Sequence, residues 1–160
     1  MEKILNTKDA IDISEELRKQ KKSIVLAGGV FDILHLGHIL FLEKAKKHGD
    51  FLFVLLESDQ NAKRKKGHNR PIHNQNDRAF ILSFLQTVDY VVNLPEMTND
   101  QQYDKLIAQL KPTVIAATEG DKNNMHKKRQ AKIIGSKVIF VIKRMKDQST
   151  TKTERFIKDL

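Results

Sequence analysis

Apolar runs and amphipathic stretches alternate along the chain. Ser23-Ile24-Val25-Leu26-Ala27 is a continuous apolar run ending in Gly28-Gly29, and Phe51–Leu56 is a second. Runs of this kind mark strands buried on both faces of a parallel sheet. Three shorter ones follow at Tyr90-Val91-Val92, Val114-Ile115-Ala116-Ala117 and Val138–Ile142. Helical spacing fills the intervals. It covers 8–20, with Ile11 and Leu17 on one face and Thr7 available as N-cap, and about 37–48, stopped by Gly49. It returns over 75–87, where Ala79, Ile81, Leu82 and Leu85 point inward, over Tyr103–Leu110 ahead of Pro112, over 126–134 ahead of Gly135, and over about 151–159. The basic stretch around 60–70 has no apolar period and contains Gly67, with Pro71 just beyond, so it reads as a loop.

Strands alternating with helices at this spacing imply right-handed crossovers and a sheet covered on both faces. The expected fold is α/β, a Rossmann-like three-layer sandwich around a five-stranded parallel sheet of order 3-2-1-4-5. That order reverses direction between the first and fourth of these strands, and ligands bind beyond the carboxyl ends of strands at such a reversal. The loops opened by Gly28-Gly29 and by Thr118-Glu119-Gly120-Asp121 are thereby singled out. Neither an internal repeat nor a low-complexity linker interrupts the chain. Residues 1–160 therefore read as one domain, a leading helical segment (1–21) before a core (22–160).

Composition narrows the chemistry. The chain has no cysteine, which excludes disulfides, zinc-thiolate sites and a cysteine nucleophile. No apolar run approaches the ~20 residues that span a bilayer, and the N-terminus lacks the apolar core of a signal peptide, so a cytoplasmic protein is expected. The net charge of +9 is concentrated. Lys63, Arg64, Lys65, Lys66 and Arg70 lie in one acid-free stretch, and nine more cations lie between Asp121 and Asp147, leaving the remainder of the chain net negative. A field focused in this way calls for a polyanion, either a nucleotide or a nucleic acid. Aromatic residues at 6% and the absence of Trp leave few stacking platforms for bases, which argues against nucleic acid.

The segment after the first strand is the most specific. Gly28-Gly29 lets backbone amides approach an oxyanion closely, and the helix N-terminus that follows adds its dipole. His35 and His38 stand three apart there, so both imidazoles can face one side, and Gly37 leaves room for a flat ring. Two histidines at this spacing could equally be surface residues or a chance metal pair. Their position after a Gly-Gly turn and Asp32 favours a ligand site.

Val30-Phe31-Asp32-Ile33-Leu34-His35-Leu36-Gly37-His38 resembles the HxGH signature of the nucleotidyltransferase superfamily that includes cytidylyltransferases and heptose 1-phosphate adenylyltransferases. Further stretches match in order: Gly49-Asp50, Glu57-Ser58-Asp59 through Lys66-Gly67, Asn69-Arg70-Pro71-Ile72, Asp77-Arg78, Val88–Val92 and Ser149-Thr150-Thr151. The leading helix with Glu15-Glu16-Leu17-Arg18 looks like that of the adenylyltransferase half of ADP-heptose synthases, and the resemblance spans roughly residues 8–158.

The resemblance implies transfer of a nucleoside monophosphate from ATP or CTP to a small phosphorylated acceptor, with pyrophosphate leaving. Mg²⁺ is expected to arrive with the triphosphate, since the sequence offers no dedicated carboxylate cage. The nucleotide would meet Gly28, Gly29, Val30, Phe31, Asp32 and Gly37, with His35 and His38 on the triphosphate and Thr118, Glu119, Gly120 and Asp121 at the nucleoside. Lys65 matches the family's catalytic lysine, with Lys63 and Lys66 as neighbours able to take its place on the acceptor side. Arg144 and the hydroxyls of Ser149, Thr150 and Thr151 would serve the triphosphate. Asp32 would fix its turn or hold an acceptor hydroxyl, and Arg78 would order the acceptor side or lie on a helix surface. His48, His68, His73 and His126 belong to no constellation.

There are departures from the family pattern. Val30 replaces the threonine or cysteine of many relatives, Thr118–Asp121 replaces Gly-Gly-Asp-Tyr, and Lys146-Asp147-Gln148 and Gln86 differ from glycerol-3-phosphate cytidylyltransferases. The last two point from CTP towards ATP. The leading expectation is therefore an adenylyltransferase acting on a sugar or polyol phosphate. A cytidylyltransferase is the alternative, and a non-catalytic nucleotide- or nucleic-acid-binding protein the second. Relatives suggest a homodimer.

Overall fold

The computed structural model describes residues 2–145 and Arg155. The elements run β1 (Ile4–Leu5), α1 (Thr7–Lys19), β2 (Ile24–Gly29), α2 (Leu36–Lys46), β3 (Phe51–Leu56), α3 (Asp59–Lys66), α4 (Gln75–Ser83), β4 (Tyr90–Asn93), α5 (Asp100–Leu110), β5 (Val114–Glu119), α6 (Asn124–Ile134) and β6 (Lys137–Lys143). All pairings are parallel, and the sheet order is β1-β4-β3-β2-β5-β6.

Two expectations need correction. The sheet has six strands rather than five, because Ile4 and Leu5 pair with Val91 and Val92 at the edge beside β4. A two-residue strand carries no readable alternation; it is held by burial of Leu5 and by the Val91 amide donating to the Lys3 carbonyl at 2.8 Å. The other five strands keep the expected order, now with β1 outside them. The basic stretch after β3 is a helix for its first part, not a loop. The Ser58 hydroxyl accepts from the Asn61 amide at 3.1 Å and caps it, Asn61 and Ala62 are buried, and the cations of its last turn sit at the negative end of the helix dipole. The cap of α1 is Asn6 rather than Thr7. Of the helix expected over about 151–159, Arg155 is described and is helical; the rest lies outside the described residues.

Strand side chains alternate between two cores, as parallel strands covered on both faces must. Ile24, Leu26, Phe53, Leu55, Val92 and Ile115 pack with Ala10 and Leu17 of α1, Leu106 and Leu110 of α5 and Ala131 of α6. Val25, Ala27, Leu52, Val54, Val91 and Ala116 pack with Phe41 and Leu42 of α2 and Ala79 and Leu82 of α4. The layers are therefore α1, α5 and α6 on one side and α2 and α4 on the other. β2 registers with β3 along six residues, but with β5 only at Val25–Val114 and Leu26–Ile115. Beyond that point β2 and β5 part, and the sheet opens at its carboxyl rim where its order reverses.

Candidate functional site

A cleft of about 1110 Å³ occupies this opening. Its floor includes Gly28 and Gly29 at the end of β2 and Ala116 and Thr118 of β5. The turn after β2 runs through Phe31 in the left-handed region (φ 46°) and delivers His35 as N-cap of α2. The imidazoles of His35 and His38 stack one helical turn apart, with centroids 3.8 Å apart and planes 23° from parallel. Phe31 packs against His38 at 5.2 Å. Both rings line the cleft, and among the described residues neither Nδ1 has a hydrogen-bond partner although both are buried.

Electrostatics keep these rings neutral. Burial lowers the pKa of His35. His38 is lowered to about 4, first by burial, then by the charges of His35 and Lys66, with the Ile33 carbonyl working weakly the other way. Lys66 is itself lowered by burial and by the neighbouring cations Arg70 and Arg144, Asp121 opposing them. Lys127 is lowered by burial, again opposed by Asp121, whose carboxylate lies 3.8 Å from its ammonium. A cleft in which His35, His38, Lys66 and Lys127 are pushed towards their neutral forms is short of negative charge beside them, and an anion entering there would restore them.

The lysines of α3 diverge. Lys66 faces the side of His38 and Arg144, whereas Lys65 turns the other way and pairs with Oε1 of Glu57 at the end of β3. The Lys65 ammonium also lies 5.4 Å above the Tyr103 ring. Lys63 does not line the cleft. Of the expected nucleoside loop, Thr118 and Asp121 line the cleft, while Glu119 and Gly120 do not. Gly120 makes the turn at φ 82°, and Glu119 pairs with Lys143, a cleft residue, at 4.0 Å. Gly37, Val30 and Arg144 line the cleft as well. Ser149, Thr150 and Thr151 lie outside the described residues.

Two expectations for the acceptor side change. Arg78 is fully buried and does not reach the cleft. Its guanidinium donates to the carbonyls of Val30 (2.6 Å), Glu57 (2.9 Å) and His73 (3.0 Å) and pairs with Asp59 (2.7 Å). Asp32 lines the cleft, but its oxygens already accept from the Arg70 guanidinium at 2.6 Å and from the amides of Ile72 and His73 at 2.9 and 3.0 Å. It therefore fixes the turn, and its oxygens are occupied. Burial would raise its pKa, yet the amides of His73 and Ile72 and the Arg70 charge together hold it below the usual value.

Several cleft residues carry no signal in the sequence. His126, which belongs to no motif, lines the cleft and sits 3.4 Å from Asp100 at the start of α5. Glu57, Tyr103 and Arg64 line it too, although they come from three different elements. Of these three, Glu57 and Arg64 fall in a stretch that resembles the family, and the resemblance gives neither a role.

A model of the cytidylyltransferase-like family matches residues 26–156, from the middle of β2 to beyond the described core. The chain belongs to the cytidylyltransferase-like family. Among proteins, the bifunctional protein HldE of a Nitratiruptor species is 50% identical over 103 residues, 64% of this chain and 21% of that protein. The HldE of Campylobacter concisus is 39% identical over 155 residues, 94% of this chain and 30% of that protein. This cytidylyltransferase-like chain thus spans less than a third of the length of these curated relatives. Among solved structures, the lipopolysaccharide core biosynthesis protein from Thermoplasma volcanium superposes with a TM-score of 0.63 at 31% identity, covering 79% of this chain and 99% of that one. Among the described residues, no helix is long and apolar enough to cross a membrane.

Proposed function

We propose that the protein transfers the adenylyl group of MgATP to the phosphate of a sugar or polyol phosphate, releasing pyrophosphate. The observation that carries this reading is the stacked His35–His38 pair at the N-terminus of α2, facing a cleft whose other walls hold Lys66, Lys127 and Arg144. An oxygen of the acceptor phosphate attacks the α-phosphorus in line. One P–O bond forms there, and the bond from the α-phosphorus to the bridging oxygen of the departing pyrophosphate breaks. The attacking oxygen is already anionic, so no base is required. Catalysis then rests on alignment and on neutralising charge as it gathers on the leaving group.

The chain's own groups suit this work. The helix N-terminus supplies amides and a positive dipole end. The two imidazoles, neutral in the free protein, gain protons or donate hydrogen bonds as the polyphosphate settles, and Lys66 and Arg144 add positive charge on the same side of the cleft. Membership of the cytidylyltransferase-like family supports nucleotidyl transfer. The HldE relatives and the T. volcanium protein, whose name places it in lipopolysaccharide core biosynthesis, support a sugar phosphate as acceptor.

The test is a pyrophosphate-release screen of the four nucleoside triphosphates against heptose, hexose and polyol phosphates with Mg²⁺. Turnover is expected with ATP and a sugar phosphate. His38→Ala should lower kcat by about 100-fold or more with an unchanged circular dichroism spectrum, as loss of a transition-state contact does. Turnover with CTP alone would replace adenylyl by cytidylyl transfer. Unaltered turnover in His38→Ala would refute the site.

A further inference from the structure

Resting on the transferase reading, we infer that Glu57 is a specificity-determining residue that accepts hydroxyl groups of the acceptor, and that Lys65 holds its place until the acceptor arrives. Glu57 is buried, with its side chain 7% exposed, whereas Lys65 is 45% exposed. One side of the carboxylate is held by the buried network: Oε2 accepts from the Tyr103 hydroxyl at 2.8 Å and from the Asn61 amide at 3.0 Å. Asn61 in turn donates to the Tyr103 oxygen at 2.6 Å and accepts through its own oxygen from Arg64, which donates to the Met97 carbonyl at 2.9 Å and pairs with Glu96. Glu57 therefore stands at the end of a braced chain of hydrogen bonds that reaches the segment after β4. Among the described residues, its remaining oxygen, Oε1, has the half-exposed Lys65 side chain as its hydrogen-bond partner.

Lys65 has two anionic partners to choose between once a phosphorylated acceptor is present. Moving from Glu57 to the acceptor phosphate would expose both Oε1 and the Tyr103 ring face over which its ammonium lies. A carboxylate beside an aromatic face suits a sugar or polyol, whose hydroxyls donate and whose carbon skeleton packs on the ring. An ammonium-bearing acceptor would also suit a carboxylate and a ring. It is disfavoured here because Arg64 and Lys65 already bring positive charge to the surroundings of Glu57. The arrangement thus couples acceptor identity to acceptor position, since Lys65 would leave Glu57 only for a ligand that carries hydroxyls and phosphate together.

The experiment is calorimetric titration of the chain, saturated with Mg²⁺ and a non-hydrolysable ATP analogue, with inorganic phosphate, a hexose 1-phosphate and phosphocholine. The wild type should bind the hexose 1-phosphate at least about tenfold more tightly than inorganic phosphate. Glu57→Gln should remove that difference, with inorganic phosphate bound at least as tightly as by the wild type. Tyr103→Phe, which keeps the ring and loses the hydroxyl, should remove part of it and covers the case in which Glu57→Gln does not fold. The inference is overturned if the difference is absent in the wild type, survives in both variants, or belongs to phosphocholine instead. Pyrophosphate release measured alongside separates the two readings. Turnover whose acceptor KM ignores Glu57 sinks this inference alone, whereas a Glu57-dependent affinity without turnover on any acceptor sinks only the transferase reading.

Discussion

The guanidinium of Arg78 on α4 donates to the carbonyl of Val30, 48 residues earlier, at 2.6 Å with no exposure to solvent. The same group reaches carbonyls of Glu57 and His73, so one side chain ties the turns after β2 and β3 to the segment entering α4. Arg78→Ala would leave three carbonyls and the Asp59 carboxylate without their donor and open a cavity. The expected loss is about 3–5 kcal/mol of stability, as for leaving several buried polar groups unsatisfied beside a cavity. Arg78→Lys should recover only part, because an ammonium cannot span three carbonyls at guanidinium geometry. Urea denaturation reads both, and a loss below about 1 kcal/mol in the alanine variant would show that the turns hold without the strap.

The strap also marks where sequence reasoning stops. The strands around β2, β3 and β5 are legible because a strand buried on both faces is an unbroken apolar run, and the HxGH turn because glycines and histidines at fixed spacing have few other uses. Arg78 is not, since a cation on a helix looks the same whether it faces water or three buried carbonyls. α3 is hidden because Asp59–Lys66 has almost no apolar residue: its helicity comes from the Ser58 cap and from Asn61 reaching Glu57, a tertiary contact. Lys65 and Lys66 cannot be told apart in the sequence for the same reason. Adjacent helical residues point about 100° apart, and only the helix sends one towards Glu57 and the other towards His38.

Asp32 predicts a second large stability effect. Its carboxylate binds Arg70 and two backbone amides in a buried turn. Asp32→Asn keeps the shape but removes the charge that offsets Arg70 and turns an NH₂ towards groups that donate. A loss of about 3–5 kcal/mol is expected by thermal or urea denaturation. A variant as stable as the wild type would mean that the Arg70 charge finds compensation elsewhere.

His38 predicts how stability depends on pH. Its pKa is lowered from the ordinary 6.5 to about 4 in the folded chain. Between these values the unfolded chain binds more protons, so stability rises with pH there and falls as pH drops from about 6.5 towards 4. Melting temperatures recorded across that window should decline in the wild type and decline less in His38→Gln, which cannot titrate. A triphosphate beside the ring would restore its affinity for protons, so nucleotide binding near pH 6 should be accompanied by proton uptake. Calorimetry in buffers of different ionisation enthalpy measures that uptake, and the variant should show less.

The two glycines after β2 separate packing from ligand approach. A Cβ built on Gly28 meets nothing nearer than the Leu55 carbonyl at 3.8 Å, whereas one on Gly29 falls 2.9 Å from Cε2 of Phe31. Phe31 already occupies the left-handed region and packs against His38, so it cannot yield without shifting the histidine pair. Gly28→Ala should therefore keep the melting temperature of the wild type and act through the methyl group it adds to the cleft floor, raising the KM for nucleotide with little change in kcat. Gly29→Ala should cost about 1–3 kcal/mol of stability, the usual range for overpacking, and lower kcat because His38 moves. If both variants merely raised KM equally, the glycines would serve only to admit the ligand, and the contact from Gly29 through Phe31 to His38 would have no part in turnover.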